Sequence, residues 1–212
     1  MKITVFGATG GIGGHVVREA LNDGHEVTAV VRDRTRFELT HSALQVEEVP
    51  GLTDAELLVP VLNGSDAAIS GVGPRGRKDG PVASKATHGI LRAMEATGVQ
   101  RFVAVSAVPV GPVPEGESFV NRRILLPLIS AILRDVYADL AEMEDEIRRS
   151  GLKWTIVRPP RLVNETLTGA YRTHIGGNVP RGYSISRANV ADAMLAALDN
   201  PATFGQIVGV AS

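Results

Sequence analysis

The chain contains no cysteine. That absence removes disulfides, thiolate metal sites and cysteine nucleophiles together, and it fits a reducing compartment. An excess of charge of one sign is lacking too. The 22 lysines and arginines against 23 aspartates and glutamates leave a net charge of −1, so no overall field draws the protein to nucleic acid or to an anionic membrane. No run of about 18 apolar residues exists, so no membrane-spanning helix is expected. The most apolar segment, residues 124–133, is short and broken by Pro127. The opening residues run from Met1 to Phe6 straight into glycines, without the apolar stretch and cleavage site of a secretory leader. A cytoplasmic protein with no nucleic-acid or membrane partner is expected. The five histidines, His15, His25, His41, His88 and His174, lack metal-ligand spacing, so no metal site is expected either.

What is present is an alternation. Ile3 to Phe6, Glu26 to Val31, Leu44 to Val49, Asp66 to Ser70, Arg101 to Ser106 and Trp154 to Val157 read as strands. Residues 11–22, 54–62, 84–97 and 134–149 have helical spacing. Strand–helix alternation predicts an α/β fold, a Rossmann-type doubly wound parallel sheet. The 212 residues suit one domain. We place its core in residues 1–158 and a small carboxy-terminal, substrate-side lobe in 159–212. That lobe would hold a short strand over Thr168 to Arg172 and a helix over Ser186 to Asn200, with Ser186 as its cap.

The strongest motif is Gly7-Ala8-Thr9-Gly10-Gly11-Ile12-Gly13-Gly14, which ends the first strand and opens the first helix. Gly7, Gly10 and Gly13 have GxxGxxG spacing. One glycine makes the tight turn, one lets backbone approach a pyrophosphate, and one lets helix and sheet pack closely. The helix start then offers free N–H groups to phosphate. Residues 7–13 are therefore the candidate dinucleotide cradle. The second strand ends in Val31-Arg32-Asp33-Arg34-Thr35-Arg36. An acid in the last strand position would favour the ribose 2′-hydroxyl of NAD, and an arginine favours the 2′-phosphate of NADP. Arg32 holds that position and Arg36 follows one helical turn on, so NADP(H) is expected over NAD(H). Asp33 leaves an ambiguity, since it could turn toward a ribose hydroxyl, and Arg34 reads as solvated.

The segments "VFGATGGIGGHVV", "VVRDRTR", "SDAAISGVGPRGR", "RFVAVSA", "RRSGLKWTIVRPPRL" and "LTGAY" resemble the atypical short-chain dehydrogenase/reductases over nearly the whole chain. The flavin reductase/biliverdin reductase B group is the nearer likeness, and the NmrA-like regulators the more distant. The resemblance implies a cofactor extended across the carboxyl ends of the strands. Gly71, Val72 and Gly73 would pass beside it, Ser106 and Ala107 would approach the nicotinamide, and Pro159, Pro160 and Arg161 would lie near its carboxamide. Relatives often carry an acid after the third strand; here that place falls at Gly51, and Leu52 beside it is counted among the cofactor contacts. The superfamily's Tyr-x-x-x-Lys pair is missing, because Tyr137 is followed four residues on by Ala141.

Two catalytic candidates remain. Ser106 is either a polar group beside the nicotinamide or a strand-end serine bonded to backbone. Tyr137, with Arg134 one turn earlier, is either a proton donor or substrate contact or a packed helix residue. Arg75 and Arg77, after the fourth strand, either steer an anionic substrate or lie in a solvated loop. Glu142, Glu144, Asp145 and Glu146 read as the wet face of a helix. The apolar residues Leu125, Leu126, Leu128, Ile129, Ile132 and Leu133 cover a pocket, join two subunits or pack on their own core. The expected activity is NADPH-dependent hydride transfer to a planar acceptor such as a flavin, quinone or linear tetrapyrrole. The alternative is a non-catalytic NADP-sensing protein. Arg32 and the missing pair disfavour an NAD-dependent epimerase. A monomer or homodimer with a small-molecule acceptor is expected.

Overall fold

The β-branched runs become strands that hydrogen-bond side by side, and the periodic segments become helices that cover them. A computed structural model describes residues 1–74, 76, 79–113, 117–118, 123 and 131–212. In chain order the elements are β1 (Lys2–Phe6), α1 (Gly13–Asn22), β2 (Glu26–Val31), β3 (Leu44–Glu48), α2 (Ala55–Leu62), β4 (Ala67–Ser70), α3 (Val82–Thr97), β5 (Arg101–Val105), α4 (Arg134–Arg149) and β6 (Lys153–Arg158). There follow β7 (Arg161–Val163), β8 (Arg172–Ile175), β9 (Ser184–Ser186), α5 (Arg187–Leu198) and β10 (Gln206–Ala211). Arg75, Arg77 and the apolar cluster at 125–129 lie outside the described residues.

The main sheet has the order β3-β2-β1-β4-β5-β6-β10-β8. All its neighbours pair in parallel except β8, which runs antiparallel to β10 at the edge. The central strands are buried on both faces, which is why β4 and β5 read as continuous apolar runs. On one face Val16, Val17 and Ala20 of α1 meet Val190, Met194 and Leu195 of α5. On the other, Leu58 and Leu62 of α2, Ile90 and Met94 of α3, and Met143 and Ile147 of α4 form a second core. The sheet is thus doubly wound. Its strand order reverses between β1 and β4, and that reversal opens a crevice at their carboxyl ends.

The carboxy-terminal segment departs from expectation. The strand expected at Thr168 to Arg172 begins only at Arg172. Before it, the Asn189 side chain accepts from the N–H groups of Thr168 (3.0 Å) and Gly169 (3.2 Å), and Gly169 has φ +65°. These donors are held by a side chain, not by a neighbouring strand. The helix at 187–198 starts at its expected cap, with Ser186 accepting from Asn189 N–H. It packs into the main core, and β10, which the sequence reading had not included, lies inside the main sheet. The division at residue 158 therefore does not separate a lobe from a core. What stands apart is the two-stranded β7–β9 sheet.

A buried arginine fastens the end of the sheet opposite the crevice. Arg101, at the start of β5, donates to the carbonyls of Leu198 (3.0 Å), Ala197 (2.6 Å) and Lys153 (2.6 Å) and to the Thr155 hydroxyl (2.7 Å). Its guanidinium lies 4.5 Å from the Phe204 ring centroid, and burial pulls its pKa down to about 10. The side chain ties the last carbonyls of α5 to two strands. Arg101→Leu leaves those buried acceptors unpaired and should destabilise the protein by about 3 kcal/mol, read as a lower urea midpoint with an unchanged slope.

Candidate functional site

The crevice is built around three glycines whose backbones touch. Gly7, directly after β1, has φ +76°, and a Cβ there would sit 2.9 Å from the Gly71 carbonyl carbon. A Cβ on Gly13 would overlap the Gly7 carbonyl oxygen. The end of β1, the start of α1 and the residue after β4 thus meet main chain to main chain. Gly10 N–H closes the turn onto Gly7 O at 2.8 Å. Among the described residues no side chain caps α1, and its first turn carries no acid. Gly14 N–H is taken by Gly10 O at 2.9 Å, and the helix start is otherwise open to an external anion. The neighbouring helix start is handled differently: Ala83 and Ser84 N–H at the start of α3 donate to the buried carboxylate of Asp139 from α4, at 2.8 and 2.9 Å.

A cleft of about 960 Å³ runs over this junction. That volume lies at the upper end of ligand pockets, as an extended dinucleotide requires. Gly7, Thr9, Gly10, Gly11 and Ile12 form its floor, with Arg32 from the end of β2, Leu52 after β3, Gly71 to Gly73 after β4, and Ser106 after β5. Most of the residues singled out from the sequence therefore come together. Ala8 and Gly13 are buried behind the loop and hold it without lining the cleft. Ala107 and Pro159 sit just past the lining residues, where Val108 N–H bonds Pro159 O at 3.0 Å. Arg36 is exposed in a short 3₁₀ turn and does not line the cleft.

The cluster after β2 sorts itself by hydrogen bonds. Asp33 accepts from Thr35 N–H (3.0 Å) and Thr35 Oγ1 (2.6 Å), and these bonds hold its carboxyl below the usual range. It caps its own turn, so the sequence ambiguity falls away from it. Arg34 is exposed, as expected, and is also tied to β3: its guanidinium donates to Val46 O at 2.9 Å and its N–H to Glu48 at 3.0 Å. Arg32 has no hydrogen-bond or ion-pair partner among the described residues and is the cation of the cluster that lines the cleft.

At the other end, Ser106 N–H donates to Val157 O at 2.8 Å, but its buried hydroxyl has no partner. A buried hydroxyl left unpaired at a cleft wall is expected to meet a ligand or water. Tyr137 does not line the cleft. It packs beside the α2–α3–α4 core, and burial alone pushes its phenol pKa up. No cation among the described residues offsets that rise.

A family model described as NAD(P)H-binding matches residues 7–201. The chain belongs to the NAD(P)H-binding family. An uncharacterised chloroplast protein of Arabidopsis thaliana is 31% identical, over 93% of this chain and 71% of its own length. A short-chain dehydrogenase/reductase of Veillonella parvula, solved in complex with NADP, has TM-score 0.80 at 20% identity, covering 100% of this chain and 94% of that one. A candidate NADH-flavin reductase of Streptococcus pneumoniae has TM-score 0.78 at 25% identity, covering 100% and 99%. The family is thus the NAD(P)H-binding one, and the fold is shared with these solved structures.

Within this family site, the sequence reading missed two cations and misplaced one acid. Lys85, on the first turn of α3, and Arg187, the first residue of α5, both line the cleft. Helical spacing could have offered Lys85, but Arg187 reaches the cleft only through tertiary packing. Glu144 is not on a wet face. It is fully buried and ion-paired with Arg158 of β6, whose Nε donates at 2.8 Å, and with Arg148 at 2.6 Å. A charged residue ending a buried strand needs such a partner. The pair joins α4 to β6 beside the segment that follows Ser106, and Asn178 Nδ2 pins that segment through Val108 O and Pro112 O, each at 3.1 Å.

Behind the glycine loop, α1 carries His15 and Glu19, 3.7 Å apart. Burial first, then Arg18 and Arg187, pull the His15 pKa down. Burial, Asp192 and Asp23 push Glu19 up to about 7. Its Oε2 is buried without a partner.

Two outcomes follow for this site. Gly13→Ala forces the loop off β1; it should cost about 1–3 kcal/mol in stability and weaken dinucleotide binding by at least about tenfold, checked by urea unfolding and calorimetric titration. The native state holds the Glu19 proton more tightly than the unfolded chain, so this group lowers stability as pH rises from about 4.5 to about 7, and its full cost persists above that. Glu19→Gln should therefore stabilise the protein at about pH 8, on the order of 1 kcal/mol after solvent screening, and add little at about pH 4.

Proposed function

We propose that the protein is an NADPH-dependent oxidoreductase that passes hydride to a planar acceptor such as a flavin, a quinone or a linear tetrapyrrole. The observation that carries the cofactor preference is Arg32, a cation that lines the cleft just after β2 with no protein partner among the described residues, where this reading puts the adenosine ribose. A 2′-phosphate there gains a charge-assisted bond worth about 1.5–3 kcal/mol. The names of the similar structures include both NADP and NADH, so it is this chain's own arginine that favours the phosphorylated form.

Reduced nicotinamide, when bound, supplies the hydride; the protein supplies position and surroundings. The glycine loop and the uncapped start of α1 hold the diphosphate. Val72 and Gly73 flank the path along the strand ends. The orphan Ser106 hydroxyl lies at the far end, where it can donate to the nicotinamide carboxamide or to an acceptor carbonyl. Leu162 of β7 adds an apolar wall from the substrate side. Tyr137 does not line the cleft and Ala141 stands where the pair's lysine would fall, so the proposed transfer does not rely on a Tyr-x-x-x-Lys relay. Acceptors that take their proton from water are favoured on this reading over simple ketones, which need a positioned donor.

The test has two parts. Arg32→Ala should raise the Kd for NADPH by about ten- to a hundredfold and leave that for NADH within about twofold; equal changes for both cofactors refute the preference. Purified wild-type protein should oxidise NADPH with at least one member of a panel of flavins, quinones and bilins. Tight NADPH binding with no turnover across the panel would instead indicate a cofactor sensor.

A further inference from the structure

We propose that Arg187 is the counter-cation for the dinucleotide diphosphate, closing over the glycine loop from the substrate side. This rests on the dinucleotide reading above and adds a second wall to that site. Arg187 lies directly on the loop: a Cβ on Gly11 would fall 2.8 Å from its Cδ and 2.9 Å from its Nε. Glycine at position 11 therefore serves the arginine that covers it, a role the spacing of the motif does not show. Arg187 Nη1 donates to Asn164 Oδ1 at 2.6 Å. Asn164 directly follows β7, so the arginine is held from the β7–β9 side of the cleft.

One guanidinium carries five N–H donors in a planar fork. The Asn164 bond uses one of them. No carboxylate pairs with Arg187 among the described residues, and the first turn of α1 beneath it is free of acids. Its charge nonetheless reaches the start of α1, since after burial and Arg18 it helps to lower the pKa of His15 in the first turn. A half-buried cation over uncapped amides, oriented by a neutral amide, lacks only an anion. The ligand class is a diphosphate bridge, as in NADPH, NADH and ADP-ribose. Arg32 reads a different group at the far end of the adenosine, so the two arginines act on separable parts of one ligand. Asn164 is a positioning residue.

The test titrates wild type, Arg187→Ala, Asn164→Ala and Arg32→Ala with ADP-ribose, which has the diphosphate without a 2′-phosphate, and with 2′-AMP, which has the reverse. Binding is followed by calorimetry for ADP-ribose and by NMR shifts for 2′-AMP. Arg187→Ala should lose about tenfold or more in affinity for ADP-ribose and keep its affinity for 2′-AMP. Arg32→Ala should show the opposite pattern, and Asn164→Ala a smaller loss on ADP-ribose alone. Unchanged ADP-ribose binding by Arg187→Ala overturns the proposal. Equal losses on both ligands also overturn it, because they mark a general loosening of the cleft. If wild type binds neither ADP-ribose nor NADPH, the dinucleotide reading falls together with it.

Discussion

Everything in the cleft depends on three main-chain segments coming closer than any side chain would allow. Gly7, Gly13 and Gly71 bring the end of β1, the start of α1 and the turn after β4 into contact. That contact aims the α1 amides along the crevice at the β1–β4 reversal. It also sets the floor against which Arg32, Leu52 and Ser106 are arrayed. A methyl group at any of these points moves backbone, and backbone here is the ligand-facing surface.

The charged residues around that floor are divided between structure and site. Asp33, Arg34, Glu144, Arg158 and Arg101 are each bonded within the protein. Their charges fix turns, helix ends and the registry of α4 on β6. Arg32, Lys85 and Arg187 face the cleft without an acidic partner among the described residues. The distinction comes from hydrogen-bond geometry alone, since neighbouring residues of like charge, such as Arg32 and Arg34, fall on opposite sides of it.

Much of this was legible in the residues. The six early strands and four early helices appear within a few residues of where their patterns place them, because parallel strands buried on both faces must be continuously apolar. The glycine motif located the cleft floor for the same reason: its spacing has a steric cause. What escaped was set by distant contacts. β10 carries Gly209 in its middle, where a Cβ would strike the Gly177 carbonyl, so its apolar pattern is interrupted by a packing demand from another segment. Asn189 took the donors of Thr168 and Gly169, which displaced the strand expected there. Glu144 lies among acids of similar local pattern, and only Arg158 across the interior singles it out. Arg187 reaches the loop because α5 packs on α1, and no local spacing encodes that.

The carboxylate of Asp139, bonded to the first amides of α3, gives the cavity a polarity. Two helices begin at its rim, and each start is intrinsically attractive to negative charge. One of them arrives already neutralised by a resident acid, and the other is bare and roofed by a cation. The two banks therefore differ: at the α3 bank the helix start is already met by an acid and Lys85 supplies the nearby cation, while at the α1 bank the helix start faces a cation with no acid between them among the described residues.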